Sequence, residues 1–343
     1  MPEVTTDYTL SRLGAEAKDA STVAKSIALF RDQLQEEVLT IFETKSVMLP
    51  LHEVKTIESG YAAMFDTLGD AAATYQDDPA NDDSTGQQLS HGKKLINIDE
   101  KMLSASTKLG KLDMAMAHRD WTSPYAAKLA QAMAKRFDQH CLNVLALAAG
   151  KASIFGTEGY GGTTLYNSEY LTDTTMTKLA VDLFQAAEIL DSKDVPEEDR
   201  YFITTPQVYR MLAQNTVAIN SLYGGSGAYK DGTIFKIAGF DIIKTNNLAT
   251  SSIASDAAGY DVTQNTYYGD FTDNVGICFH RGAIGTVKLL EIDSFIDDRR
   301  RKKEKHVYIG TDMAKGTDFL RPECVVLLNK SASATTTKAE GTA

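Results

Sequence analysis

Apolar residues recur every three or four positions in three long stretches of the chain, and every second position in several short ones. The first stretch carries Ile27, Phe30, Leu34, Val38 and Ile41 on one stripe, the spacing of a helix, with Ser21 or Thr22 as its cap. Such a helix can pack on its own domain or lie on a neighbouring subunit. Both arrangements stay open, because an arm ahead of the main core is free to reach outward. The second stretch is the clearest helix. Ser123 is a good N-cap and Pro124 takes the first helical position. Leu129, Met133, Phe137, Cys141, Val144 or Leu145, and Ala148 follow, with Gly150 as the stop. At 1.5 Å per residue it is a rod of roughly 39 Å, a spine for other layers. The third runs near Thr174–Leu190, with Leu179, Leu183, Ala187 and Leu190 on one face. A shorter helix opens at Thr205-Pro206 and carries Val208, Tyr209 and Leu212.

Period-two segments predict strands. Val47–Ile57 and Lys94–Ile98 come first, with Ile96 and Ile98 alternating against Asn97 and Asp99. Tyr201–Ile203, the pieces around Phe235, Ile237 and Phe240–Ile243, then Val275/Ile277/Phe279, Val287/Leu289 and Val325–Leu328 complete the set. Polar stretches separate them. Residues 1–20 read as a mobile arm, 246–274 as turns, and Ser331–Ala343 as a disordered tail. The polar excursion Asp70 to Gly92 lies between the first two strands, which makes them a projecting hairpin; so long a loop is usually functional or disordered. Strands and helices are segregated, so the fold class is α+β without a regular βαβ alternation.

Composition narrows the function. The 343 residues include 35 basic and 46 acidic ones, a formal charge of −11. That balance argues against sequence-reading nucleic-acid binding, though not against enclosing nucleic acid. No apolar run reaches the ~18–20 residues of a membrane span, and Met1-Pro2-Glu3-Val4 does not start a signal peptide. Cys141, Cys278 and Cys324 are too scattered for a disulfide framework or a zinc site, so free thiols in a reducing compartment are expected. Charge is unevenly spread. Between 66 and 100, eight acids (Asp66, Asp70, Asp77, Asp78, Asp82, Asp83, Asp99, Glu100) face only Lys93 and Lys94. Conversely, 297–305 holds Arg299, Arg300, Arg301, Lys302, Lys303 and Lys305 against Asp297, Asp298 and Glu304. No aromatics interleave with these bases to stack nucleotides. They and the acidic hairpin are candidate partners, in cis or across a subunit interface, the alternative being two separately solvated faces; Phe30, Leu34 and Val38 of the arm are further candidate interface residues.

Catalytic patterns are absent. Gly156–Thr163 resembles a phosphate loop only loosely, for it lacks the lysine. A calcium loop starting at Asn81 would need glutamate at its twelfth position, where Gly92 stands. The six histidines form no metal-binding spacing, and no nucleophile elbow occurs. No catalytic, cofactor or metal residue is therefore expected.

In order and spacing, however, a set of short segments is similar to one family. It begins with Leu29-Phe30, Glu37–Thr40, Phe42 and Ser46-Val47 in the arm, then Ile57, Ser59-Gly60, Phe65 and Leu68-Gly69 in an ascending strand. Asp199-Arg200, Pro206 and Ala238-Gly239-Phe240 follow past the spine. The densest match is His280-Arg281 with Gly285–Leu289, and Gly316 with Leu320–Glu323 closes the series. Collinear over residues 25–328, these resemble the major capsid proteins of short-tailed phages of the T-seven-like (autographivirus) group, which have the Hong Kong 97-type, or Johnson, fold.

The resemblance implies a structural protein whose copies form hexamers and pentamers of an icosahedral shell. It implies an N-terminal arm (1–46), an extended loop (47–105), a P-domain with the spine helix (106–194) and its return strands (279–330), an A-domain (195–278) and a tail (331–343). It also implies a scaffolding protein, a portal protein and packaged double-stranded DNA as partners, with a decoration protein as an optional one. The product would be a virion assembled in a host bacterial cytoplasm. Two rivals are a nanocompartment shell of the same fold and a soluble acidic enzyme or binding protein.

Overall fold

The computed structural model describes residues 35–68, 91–110, 122–154, 159–173, 177–213, 227–228, 233–234, 236–297 and 306–331. In chain order these form helix α1 (35–45), strands β1 (Glu53–Thr56), β2 (Ala62–Leu68), β3 (His91–Asn97) and β4 (Leu103–Gly110), and helix α2 (Thr122–Ala148). Then come β5 (Thr163–Tyr166), α3 (Thr177–Ser192), β6 (Arg200–Thr204), α4 (Pro206–Leu212), β7 (Gly227–Ala228), β8 (Thr233–Ile234), β9 (Lys236–Ile237) and β10 (Phe240–Lys244). The chain closes with β11 (Asn274–His280), β12 (Ile284–Asp297), β13 (His306–Phe319) and β14 (Val325–Asn329). It divides into two compact units, each built from three separate segments: 1–46, 101–137 and 289–315 in the first, and 47–100, 138–288 and 316–343 in the second.

In the first unit, α1 turns Val38 and Phe42 inward, and the Phe42 ring meets Phe137 of α2 edge-on at 5.6 Å. Ala126, Leu129, Ala130, Met133 and Ala134 extend that buried stripe along α2. Lys315 is 2% exposed and sets its ammonium over the Phe137 ring at 5.2 Å. Strand β4 pairs antiparallel with the start of β13, from Leu103↔Met313 to Gly110↔His306.

The second unit holds a six-stranded sheet in the order β5-β14-β11-β6-β10-β9. Its middle strands are covered on both faces. The alternation of Val275, Ile277 and Phe279 predicts a half-buried strand, yet 274–279 is buried throughout. Gly276 and Cys278 complete the second face. A Cβ on Gly276 would lie 2.5 Å from the Phe202 ring, so only glycine lets β6 and β11 approach this closely. Helix α3 buries Leu179, Leu183, Ala186 and Leu190, while Ala187 is half-buried beside that face. Arg200, 4% exposed, donates to the carbonyls of Val195 and Pro196 and meets Asp191 at 2.7 Å, fastening the end of α3 to β6. Thr205 caps α4 by accepting from the Val208 N–H. Between β9 and β10, Ala238 and Gly239 both have positive φ, 51° and 83°, the conformation of a two-residue hairpin turn that follows strand twist.

Two expected elements differ. Val47–Ile57 is a strand only over 53–56. Asp138, fully buried on α2, accepts from the Val47 and Met48 N–H groups, and Leu49–Leu51, with Pro50 at its middle, form a turn of 3-10 helix, so extended backbone begins late. The hairpin partner of β3 is therefore β2, whereas β1 pairs in parallel with β12. At the C-terminus of α2, Gly150 does not adopt the left-handed conformation. The helix closes instead through N–H bonds from Gly150 to Leu147 and from Lys151 to Ala148.

Candidate assembly surfaces

The β2–β3 ribbon has two chemically distinct faces, set by its register. Ala63 faces Ile96 and Phe65 faces Lys94 on the inner side; Met64 faces Leu95 and Asp66 faces Lys93 on the outer side. Inner side chains pack on the rest of the second unit. Ala63, Ile96, Val287 and Leu320 form one buried cluster, with Ile57, Phe65 and Ile98 against it. Lys94 lies over the Phe319 ring at 3.8 Å and reaches Asp318 at 2.7 Å, so its stem covers apolar surface while its charge is matched. The outer side has no such cover. Met64 is 46% and Leu95 45% exposed although they stand directly opposite each other, and Tyr61 at the base of the ribbon is 78% exposed.

At that base, segment 97–100 is clamped by segment 263–267. Asn265 Nδ2 donates to the Asn97 carbonyl at 2.8 Å and to Asp99 Oδ1 at 2.7 Å, and the Tyr267 hydroxyl donates to Asp99 Oδ2 at 3.0 Å. Glu100 accepts from the backbone N–H groups of Thr263 and Gln264. Burial raises the Glu100 carboxyl, but its own N–H and those two donors together hold it below its usual value. Tyr267 is fully buried, its ring stacked on His140 at 4.1 Å and its hydroxyl accepting from the Thr317 N–H at 3.0 Å. Burial, reinforced by the Asp99 charge, pushes its phenol well above the usual range, so it remains a donor. The line continues inward. The Thr317 and Thr286 hydroxyls are 3.0 Å apart, and Thr286 meets His52 Nε2 at 2.9 Å. This clamp fixes where the ribbon leaves the unit. Asn265 and Tyr267 carry no periodic signal, and the alternation that ends at Asp99 says nothing of its partners, which is why sequence reasoning misses their partnership.

Of the interface residues expected from sequence, only Val38 is described, and it is fully buried in the first unit. Val38 of the arm stripe, with Phe42 one turn on, thus packs on its own chain, because α2 supplies an apolar face for it. Phe30, Leu34, Asp77, Asp78, Asp82, Asp83, Arg299, Arg300, Arg301, Lys302 and Lys303 lie outside the described residues. Two acids of the 66–100 stretch, Asp99 and Glu100, serve the clamp within the chain, and Asp66 stands opposite Lys93 in the register of the ribbon. A second outward apolar pair missed from sequence is Val181 and Phe184, 57% and 63% exposed one turn apart on α3.

His280 caps the turn Arg281–Ala283, its Nδ1 accepting from the Gly282 N–H at 3.1 Å. Burial, then the positive charges of Arg321 and Arg200, lower its pKa against the pull of Asp199. The folded value lies below the unfolded one of about 6.5, so the cap is complete above that pH and is lost as pH falls through the folded value. His280→Asn, which caps without titrating there, is expected to flatten the fall in stability between pH 7 and pH 5, read by urea denaturation at both. An unchanged pH dependence would refute this role.

Chemistry beyond contact is sparse among the described residues. No three His, Cys, Asp or Glu side chains come together, and no helix is long and apolar enough to cross a membrane. All three cysteines are buried thiols outside any disulfide. Burial pushes the Cys278 thiol far up and that of Cys324 up to about 12, which leaves them unreactive.

The chain is similar to known proteins. The family model described as Gp10A-like, major capsid protein, matches residues 64–329. The major capsid protein of Enterobacteria phage T3 is 28% identical over 330 residues, 91% of this chain and 94% of that protein. That of Escherichia phage T7 is 27% identical over 325 residues, covering 90% and 93%. Among solved structures, the capsid of the cyanophage P-SCSP1u is 34% identical with a TM-score of 0.73, covering 82% of this chain and 87% of that one.

Proposed function

Because the chain belongs to the Gp10A-like family of major capsid proteins, we propose that its copies close into hexamers and pentamers of an icosahedral phage shell, with the outer face of the β2–β3 ribbon laid on a neighbouring copy. The role is structural and not enzymatic, the fold is Hong Kong 97-type, and the chain is a virion component that assembles with itself. The single observation carrying the ribbon contact is the opposed, half-exposed pair Met64 and Leu95 on a ribbon whose other face is already filled. Each such contact is modest, but repetition around closed rings stabilises the whole assembly.

In this reading 1–46 is the arm, 47–105 the extended loop, 106–194 with 279–330 the P-domain, 195–278 the A-domain and 331–343 a tail. Assembly takes place in the bacterial host cytoplasm, with a scaffolding protein and a portal protein, a decoration protein being optional. Double-stranded DNA is the non-specific content. A net charge of −11 supports this, since a strongly basic wall would hold the polymer by counterion release. The acids Asp77, Asp78, Asp82 and Asp83 and the bases Arg299 to Lys303 form a further contact between copies, on the ground of their opposite local charge.

The test is the double substitution Met64→Glu and Leu95→Glu. Shell yield, counted by sedimentation, is expected to fall at least about tenfold, while the urea midpoint of the unassembled chain shifts little because both side chains are already half exposed. Normal shells would refute the ribbon contact. The same assay on the unmodified chain at low and high salt reports on the charged contact; a salt-independent yield would remove it.

A further inference from the structure

Where the β11–β14 ladder ends, Asn274 and Asn329 stand opposite each other as cross-strand partners. They are 4% and 6% exposed, and the Oδ1 of each has no hydrogen-bond partner. The Asn274 amide is oriented by its Nδ2, which donates to the Ala249 carbonyl at 3.4 Å. Both asparagines line a small cavity with Asp270, Thr272 and Asp273 over Ala146, and no basic residue lines it. The Asp270 carboxylate accepts through Oδ1 from the Thr272 N–H and hydroxyl. Asp273 uses Oδ2 for the Ser331 hydroxyl. The second oxygen of each carboxylate is left for a ligand.

We propose that this cavity binds Ca2+ through the carboxylates of Asp270 and Asp273 and the amide oxygens of Asn274 and Asn329. The donor set is oxygen only, with two negative charges, which suits a hard cation. Mg2+ demands octahedral geometry and keeps its waters, whereas Ca2+ accepts irregular sets of carboxylates, amide oxygens and water. Sequence spacing does not reveal the site, because half of the ligands are neutral amides and one comes from a distant strand. The ion ties the 270–274 turn to the end of β14, and through Asp273 to Ser331, the last described residue of the chain.

The experiment titrates CaCl2 into the full-length chain after EDTA treatment, by calorimetry and by thermal melting. One Ca2+ per chain and a rise in melting temperature are expected. Asp270→Asn with Asp273→Asn weakens binding at least about tenfold and abolishes the rise. Asn329→Asp, which adds a third carboxylate, melts lower than the original chain without Ca2+ and regains its melting temperature with it. No saturable binding to the original chain overturns the proposal, as does unchanged binding in the double variant, which would place the ion on other acids. Should the double variant misfold, Asn329→Asp decides: a lowered melting temperature that Ca2+ does not restore also overturns it.

Discussion

Replacing Gly316 by alanine is expected to destabilise the chain by about 4 kcal/mol or more, a loss seen only where a backbone has nowhere to move. A Cβ on Gly316 would lie 1.9 Å from the Asn97 carbonyl oxygen and 3.0 Å from the Ile98 Cα. Both obstacles are backbone, so no rotamer change relieves them. Segment 97–98 would have to leave β13, and it carries the carbonyl that Asn265 holds and the start of the Asp99 clamp. The base of the β2–β3 ribbon would shift, and shell yield should fall with the stability. Gly282→Ala is the control, because its Cβ would meet nothing closer than 3.5 Å; it should stay within about 0.5 kcal/mol. Urea denaturation of both unassembled variants decides the matter. A Gly316→Ala midpoint close to that of Gly282→Ala would show that β13 and segment 97–98 yield easily.

The contrast between these glycines also marks what a linear sequence discloses. Gly316 belongs to a collinear set of segments that identifies the family, yet nothing in its neighbours says why glycine is needed. The reason is a carbonyl far away along the chain. Elements whose stability is local were legible. Helix α4 follows from Thr205, Pro206 and the spacing of Val208, Tyr209 and Leu212. Helix α2 follows from a long stripe of period 3.6, and β14 from a short continuous apolar run. Elements held from a distance were not. Strand β2 reads Ala-Ala-Met-Phe-Asp-Thr-Leu, with weak strand formers at three of its seven positions. It is extended because Ala63 and Phe65 find Ile96, Val287 and Leu320. The strand expected at Val47 is cut short by a carboxylate on α2. The candidate surfaces divide in the same way. The acidic and basic runs stand out in sequence, whereas the outward pair Met64 and Leu95 becomes visible only once the ribbon register assigns each residue a face.

Asp99→Ala is expected to cost about 3–5 kcal/mol, because it strands two buried donors at once. The Asn265 amide and the Tyr267 hydroxyl both give hydrogen bonds to this carboxylate, and Tyr267 is fully enclosed, with its ring against His140. Neither donor can turn to water. Tyr267→Phe removes the hydroxyl instead and leaves the Thr317 N–H without its acceptor, at about 1–3 kcal/mol. If the two residues act as one clamp, the losses do not add. In the double variant the Asp99 carboxylate and the Tyr267 hydroxyl are absent together, and neither leaves the other stranded. The double variant should then be about 1–2 kcal/mol less destabilised than the sum of the singles. Additivity within about 0.5 kcal/mol would mean that Asp99 and Tyr267 stabilise separate parts of the unit. The clamp also has an assembly readout. It fixes the direction in which the ribbon leaves the second unit, so a loosened clamp presents Met64 and Leu95 over a range of angles. Closing a ring then requires each copy to give up that freedom, an ordering cost repeated at every contact of the shell. Shell yield from Asp99→Ala should therefore fall further than its stability loss predicts when compared with a variant of equal stability altered away from the ribbon base.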